Sequence, residues 1–202
     1  PPRPWRGEGL QSTYGAYITA YANDSDFALL RLARAPPRRF GVRANGWNAT
    51  ASAPPRRSAL LHFPRGDLLK VSVPAGVPAL RRFCPSCCTA VDTSVTGSGR
   101  CWRSADYHVE RYALGSSAPG SSGGPLFDGS GAIVGQMHGG YATCAHPRDD
   151  FFGRLAVAYN NSLRYDQPLD GARLQPHLDP QPNGSRACGA AAYLAPPRTA
   201  RP

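Results

Sequence analysis

Gly120-Ser121-Ser122-Gly123-Gly124-Pro125 leads directly into the apolar run 125–127, the turn Asp128-Gly129-Ser130-Gly131 and a second apolar run, 132–135. Two short apolar runs joined by a Gly-rich turn predict a β-hairpin. Gly123-Gly124-Pro125 disfavours a helix directly after Ser122, which argues against the nucleophile elbow of α/β-hydrolases that the same residues match. Ser122 is therefore predicted to lie on a turn in an antiparallel β protein.

The composition of this turn suits a nucleophile with an oxyanion hole. A serine hydroxyl becomes a good nucleophile when a base takes its proton, and the tetrahedral intermediate then needs fixed donors for its negative charge. The N–H groups of Gly120 and Ser122 can converge as those donors, and Gly123 lets a substrate backbone approach closely. The alternative is a polar surface turn, since Ser and Gly clusters are common loop material.

A second segment fits the first and carries a family resemblance. Asp26 ends an acidic turn and directly precedes the apolar run 27–32. Together they resemble the aspartate strand of chymotrypsin-fold serine proteases, and residues 120–125 resemble the nucleophile loop of the same family. More narrowly, 134–140 and 150–154 resemble the bacterial lysyl endopeptidases at nearly matching spacings. The resemblance implies an all-β, chymotrypsin-like Greek-key barrel with a short C-terminal helix, in which Asp26 and Ser122 are catalytic and no cofactor is needed.

The resemblance also implies a specificity pocket for a basic side chain. Trypsin-like relatives carry an aspartate six residues before the nucleophile, but Ser116 stands there, so the trypsin pattern fails. By resemblance to the lysyl endopeptidases the pocket charge is Asp150, and His138, Gly139 and Gly140 bind substrate. Lysine is then preferred to arginine. The alternatives are a solvated loop for Asp149 and Asp150, and a satisfied histidine beside a sheet for His138.

The catalytic histidine of this family is missing from the chain. In these enzymes it precedes the aspartate, but all the histidines here follow Asp26. They are His62, His108, His138, His146 and His177. We therefore expect a missing upstream segment to supply the histidine, and the isolated chain to be nearly inert. The alternative is a non-catalytic homologue that acts as a secreted binding module.

The chain is predicted to divide into three parts. Residues 1–40 are assigned to a remnant of the first barrel with the Asp26 strand, 41–180 to the second barrel, and 181–202 to a Pro/Ala/Arg-rich disordered tail. Apolar runs between turn residues predict the strands, and a weak pattern predicts the helix 171–178. The predicted strands include 14–21, 58–63, 68–73, 108–113, 132–137 and 154–159.

Charge and hydropathy limit the partners. The net charge is +10, but the arginines are scattered in pairs beside prolines without aromatic interleaving, so we expect no specific nucleic acid. A continuous apolar stretch of about 18 residues is missing, so no membrane span is expected. Polypeptides are the expected substrates, and the protein is expected to be a monomer.

The cysteines and glycosylation sequons favour a secreted protein. The six cysteines include a cluster at 84–88, which allows either disulfides or, with Cys101, a zinc site. The sequons at Asn23, Asn48, Asn160 and Asn183 fit a secreted glycoprotein, where disulfides are the commoner use. The resemblance implies that Cys144 pairs with a cysteine near the amino terminus of the family, which this sequence lacks.

Overall fold

A computed structural model describes residues 12–22, 25–50, 53–83, 105–160, 173–179 and 187–188. Cys188 is described for its backbone alone. Antiparallel strands dominate these ranges, which confirms the all-β prediction. The strands are β1 (Ala16–Ala22), β2 (Phe27–Leu32), β3 (Trp47–Asn48), β4 (Ser58–His62), β5 (Lys70–Pro74), β6 (Ala79–Arg82), β7 (Ala105–Val109), β8 (Tyr112–Leu114), β9 (Pro125–Asp128), β10 (Ile133–Gly140), β11 (Asp150–Arg154) and β12 (Ala187–Cys188), and the helices are α1 (Leu155–Asn160) and α2 (Gln175–Leu178).

Strands β4, β5, β7, β8, β9, β10 and β11 form a closed antiparallel barrel. β4 pairs with β5 on one side and with β9 on the other, and β9, β10 and β11 follow in order. β11 pairs with β7. Two residues separate the end of β7 from the start of β8, and β8 pairs with β5. The interrupted strand β7–β8 therefore closes the ring. This ring lies within the part of the chain predicted to form the second barrel.

The barrel is filled from alternate positions of its strands. Leu60, Tyr107, Leu126, Val134 and Phe152 are each at most 1% exposed and belong to one apolar cluster. Because side chains of a strand alternate between its two faces, Leu60 and His62 point the same way, and His62 is also buried, at 2% exposed. A polar side chain thus enters the interior next to the apolar core.

The turn of the hairpin β9–β10 forms as predicted. Oδ1 of Asp128 accepts hydrogen bonds from the N–H of Ser130 at 2.8 Å, from its hydroxyl at 2.6 Å and from the N–H of Ala132 at 3.1 Å. The N–H of Gly131, whose φ is +82°, donates to the Asp128 carbonyl. One carboxylate therefore fixes the connection that carries β9 and β10.

A strand was predicted at 154–159, and that prediction is wrong beyond Arg154. Helix α1 occupies Leu155–Asn160 instead. Its buried residues are Leu155, Ala158 and Tyr159, spaced by three and four, as one face of a helix requires. Tyr159 packs against Trp47, with ring centroids 5.6 Å apart, in a second apolar cluster outside the barrel. A short apolar run is ambiguous between strand and helix, and this packing decides it.

Strands β1 and β2 form a sheet of their own. Ala22 pairs with Phe27 across the turn that contains Asp26, and Ala20 and Phe27 are buried in the second cluster. The opposite face of this hairpin is apolar and exposed. By the strand register it comprises Ile18 (66% exposed), Tyr21 (53%), Leu30 (56%) and Leu32 (47%).

Several predictions fall wholly or partly outside the described residues. Helix α2 lies inside the predicted segment 171–178. Within the tail predicted as disordered, Ala187–Cys188 pair with β3, and the three-part division of the chain stays a prediction. Cys144 is exposed and unpaired among the described residues, and the side chains of the other cysteines lie outside them. In the parts of the chain that the structure covers, every helix is too short to cross a membrane.

Candidate active site

Ser122 lies exposed on the turn that leads into β9. The N–H of Gly123 donates to the carbonyl of Met137 at 2.8 Å, and the N–H of Met137 donates to Gly124 at 2.8 Å. Gly120 and Gly123 have φ angles of +93° and +78°, which side chains rarely adopt. A Cβ at residue 124 would lie 2.9 Å from the Leu61 carbonyl. Three glycines thus let this turn hold its serine tightly against β10.

The two predicted oxyanion donors are available. In the described part of the chain, the N–H groups of Gly120 and Ser122 donate to no other residue. Those of Ser121, Gly123 and Gly124 are all hydrogen-bonded. Ser121 donates to the carbonyl of Ala118, and Gly124 donates to that of Ser121. Two free N–H groups flanking an exposed hydroxyl can bind a developing oxyanion.

Ser121, next to the predicted nucleophile, has an inward side chain that is buried in the protein. It is 2% exposed, and its Oγ lies 2.7 Å from Nδ1 of His62. The same Oγ accepts a hydrogen bond from the N–H of Ala118 at 3.1 Å. Nε2 of His62 lies 3.0 Å from Oγ of Ser72. Burial lowers the pKa of His62, so the neutral ring is favoured.

Asp26 is held beside the same strand that holds the serine turn. The side-chain amide of Gln136 donates to the Asp26 carbonyl at 3.0 Å, one residue away from Met137. Asp26 has a φ of +48°, an uncommon conformation for a residue other than glycine. Burial raises the pKa of its carboxyl and Asp106 adds to the rise, while His138 opposes it. The two predicted catalytic residues are therefore both anchored at positions 136–137 of β10.

His138 contacts two carboxylates. Its Nδ1 lies 2.7 Å from Oδ2 of Asp106, and its Nε2 lies 3.5 Å from Oδ2 of Asp26. The imidazole is 5% exposed, Asp106 is 1% exposed, and the ring of Phe83 meets the imidazole edge-on at 4.9 Å. His138 was predicted to bind substrate. That role stays a prediction, and the contacts place the imidazole between Asp26 and Asp106.

Asp150, the predicted pocket charge, is completely buried. Its Oδ2 accepts a hydrogen bond from the hydroxyl of Tyr112 at 2.7 Å, and its Oδ1 accepts one from the N–H of Ala142 at 3.3 Å. Burial raises the pKa of this carboxyl, while hydrogen bonds from Ser117, Tyr112 and Ala142 oppose the rise. The solvated-loop alternative is therefore excluded for Asp150. It still fits Asp149, whose side chain is 46% exposed.

The two predicted wall glycines lie directly against aromatic and acidic neighbours. Gly140 pairs with Asp150 across β10 and β11, and a Cβ there would overlap Oδ1 of Asp150. A Cβ at Gly139 would lie 3.0 Å from the ring of Phe83. The close approach of Phe83 and Asp150 to β10 therefore depends on glycine at both positions.

Several site residues were missed from the sequence. They are Ser72, Asp106, Tyr112 and Ser117. The contacts of the buried His62 with Ser121 and Ser72 were missed as well. Strand alternation with Leu60 places His62 inside, and Asp106 lies in a strand with buried neighbours. Their partners, however, are distant along the chain: His62 and Ser121 are 59 positions apart, and Tyr112 and Asp150 are 38 apart.

A metal centre finds no support among the described residues, where no group of three or more metal-ligating side chains comes together. The four cysteines that were considered for zinc, at 84, 87, 88 and 101, lie outside these residues.

The sequence model described as "Lysyl endopeptidase, C-terminal domain" matches residues 4–153, well over half of the chain, and confirms the resemblance seen in the sequence. The Rv3671c protease from M. tuberculosis, in its active form, is 19% identical, with a TM-score of 0.48, over 78% of this chain and 62% of that one. Its inactive form is also 19% identical, with a TM-score of 0.46, over 71% and 62%. The chain spans 62% of the length of both.

Proposed function

Since this chain belongs to the lysyl endopeptidase family, whose C-terminal domain it matches, we propose that it forms the nucleophile-bearing part of a serine endopeptidase. The enzyme hydrolyses peptide bonds after a basic residue, lysine in preference to arginine. The observation that carries this proposal is the turn around Ser122, with its exposed hydroxyl and two free N–H groups, anchored one residue from the point where Gln136 holds Asp26.

The mechanism assigns one step to each of these groups. Ser122 attacks the peptide carbonyl, and a histidine takes its proton. The N–H groups of Gly120 and Ser122 hold the oxyanion, and Asp26 orients the histidine and stabilises its charged form. The histidine then returns the proton to the leaving amine, and water hydrolyses the acyl-enzyme.

Neither histidine near the turn suits the role of base. His62 is buried and its two nitrogens contact Ser121 and Ser72. The nitrogens of His138 face Asp106 and Asp26. We therefore propose that the base comes from a segment upstream of this chain. The exposed apolar face of the β1–β2 hairpin supports this proposal, because contiguous apolar surface of this kind usually packs against a partner.

Specificity for lysine is proposed from the surroundings of Asp150. A carboxylate in a pocket favours a cationic side chain over neutral ones by orders of magnitude. Tyr112, Ala142 and Ser117 hydrogen-bond Asp150 and occupy three of the roughly four acceptor positions on its two oxygens. A guanidinium fork needs two parallel acceptor positions, whereas an ammonium needs one, so the remaining position suits lysine. Because Asp150 is fully buried, the pocket has to open when the side chain enters.

We also propose that the enzyme is secreted, a monomer, and glycosylated at Asn160. Asn160 is exposed at the end of α1, where its amide nitrogen donates to the Ala156 carbonyl, whereas Asn48 is half-buried and its side chain hydrogen-bonds Asp128. Asn160 is thus the better acceptor of these two sequon asparagines. Mass spectrometry of the secreted protein before and after glycosidase treatment tests this assignment.

The proposal is tested by fluorophosphonate labelling of the full-length protein, because only an activated hydroxyl reacts at a useful rate. Peptide mapping should find the label on Ser122, and both Ser122→Ala and Asp26→Asn should abolish labelling. Ser130→Ala, which removes an exposed serine of the β9–β10 turn, is the matched control and should label normally. A folded full-length protein that does not react would instead support a non-catalytic binding module.

A further inference from the structure

A ring of hydrogen bonds lies directly beneath the Ser122 turn. Ala118 N–H donates to Oγ of Ser121, which contacts Nδ1 of His62. Nε2 of His62 contacts Oγ of Ser72, and the Ser72 hydroxyl donates to the carbonyl of Ser116 at 3.0 Å. The ring therefore starts and ends in the segment 116–118, which precedes the serine turn.

Counting protons assigns a direction to every bond in this ring. Each hydroxyl has one proton, and that of Ser72 is used on the Ser116 carbonyl, so Ser72 accepts its other bond from an Nε2–H of His62. The neutral ring then has a lone pair on Nδ1, which accepts the proton of Ser121. Ser121 in turn accepts from Ala118. The Nε2–H tautomer of His62 therefore satisfies every donor of this ring.

This ring ties together the two halves of the site. Ser121 directly precedes Ser122, and its carbonyl accepts from Gly124 on the far side of the serine. Ser117, between the two ends of the ring, hydrogen-bonds Asp150. His62, Ser72 and Ser121 are each at most 2% exposed, so water does not compete for these bonds.

We propose that His62 is a positioning residue which, as its neutral Nε2–H tautomer, sets the orientation of the Ser122 turn and its oxyanion donors from inside the barrel. It touches neither substrate nor Ser122 and acts through Ser121. The kinetic part of this inference rests on the proposed function, whereas its structural part does not.

The structural part is tested on this chain by nitrogen-15 NMR of the histidine rings. We expect His62 to carry its proton on Nε2 at pH 7. Ser121→Ala should raise the pKa of His62, since the hydroxyl that stabilises the neutral ring is lost, and should shift the backbone amides of Gly120 and Ser122. An Nδ1–H tautomer, a charged ring at pH 7, or unchanged amides in a folded Ser121→Ala protein would each overturn the inference, whether or not the protein is an enzyme.

The kinetic part is tested in the full-length protein with a lysyl peptide substrate. His62→Leu should lower kcat by about 10- to 100-fold with KM within about twofold, because a small misplacement of reacting groups costs rate rather than binding. His62→Gln, which keeps one donor and one acceptor, should recover part of the loss. His146→Gln changes an exposed histidine and should match wild type. Equal kcat for His62→Leu and wild type would overturn the positioning role; an inactive wild type would contradict the proposed function and leave the NMR result to decide the inference.

Discussion

Nε2 of His138 in β10 lies 3.5 Å from Oδ2 of Asp26, which belongs to the turn between β1 and β2. Asp106 holds the other ring nitrogen of His138, so the imidazole bridges the β1–β2 hairpin and the barrel. Gln136 adds a second link by bonding the backbone of Asp26. These contacts fix the aspartate of the proposed triad relative to the strand that carries the serine turn.

Removal of Asp106 should destabilise the protein. Asp106→Ala leaves the buried Nδ1–H of His138 without its acceptor, which we expect to cost about 1–3 kcal/mol. Glu110→Ala removes an exposed carboxylate that directly follows β7 and forms a 3.5 Å surface ion pair with Arg81, and it should cost less than about 0.5 kcal/mol. Urea denaturation of both variants measures the difference, and equal losses would show that the Asp106 contact contributes little.

Gly140→Ala should disrupt the pocket. The added Cβ overlaps Oδ1 of Asp150 and the backbone of Asp149, so we expect a loss of about 1–3 kcal/mol from overpacking. Gly76→Ala places its Cβ in open space and is the control. Thermal unfolding of the two variants compares them. If Gly140→Ala is as stable as Gly76→Ala, the close contact between β10 and Asp150 is wrong.

Acidification should remove stability through His62. Burial lowers the pKa of His62 in the folded protein, so the unfolded chain binds a proton first as the pH falls below about 6.5, and the contribution is lost down to the folded pKa. The carboxyls of Asp26 and Asp150, whose pKa values are raised, act with the opposite sign above about 3.8. Urea denaturation at pH 7.5 and 5.5 should show a larger loss for wild type than for His62→Gln. Equal losses would contradict a buried neutral His62.

Substitution of the pocket carboxylate should change selectivity without changing the chemistry. In the full-length enzyme, Asp150→Asn should lower kcat/KM for a lysyl substrate by about 100-fold or more relative to a neutral isostere at the same position. Fluorophosphonate labelling of Ser122 should persist in this variant. An unchanged preference for lysine would remove Asp150 from the specificity pocket.

The local features of the fold were predictable because their causes are close together in the sequence. Asp128 and Gly131 define the β9–β10 turn within four positions, and the glycines around Ser122 define its turn. The Leu155–Asn160 helix was not, since Trp47 decides it through packing from more than a hundred positions away. Short apolar runs do not distinguish strand from helix until such a partner is known.

The supporting residues of the site were hidden for the same reason. A buried histidine in a strand is predictable for His62 from the alternation with Leu60, but its partner Ser121 is brought to it by the pairing of β4 with β9. Likewise, the role of Asp106 becomes visible when β7, β11 and β10 are in register, since these strands bring it to His138. Side-chain contacts across a barrel depend on the register between its strands, which the sequence of a single strand does not reveal.

A double-mutant comparison tests most directly whether Asp26 and Ser122 serve one catalytic centre. In the full-length protein, kcat/KM on a lysyl peptide is measured for Asp26→Asn, Ser122→Ala and the combination. Residues that act as a unit are strongly non-additive, so the double variant should be no slower than Ser122→Ala alone. If the two losses multiply, or if either variant retains the wild-type rate, Asp26 and Ser122 do not share a mechanism.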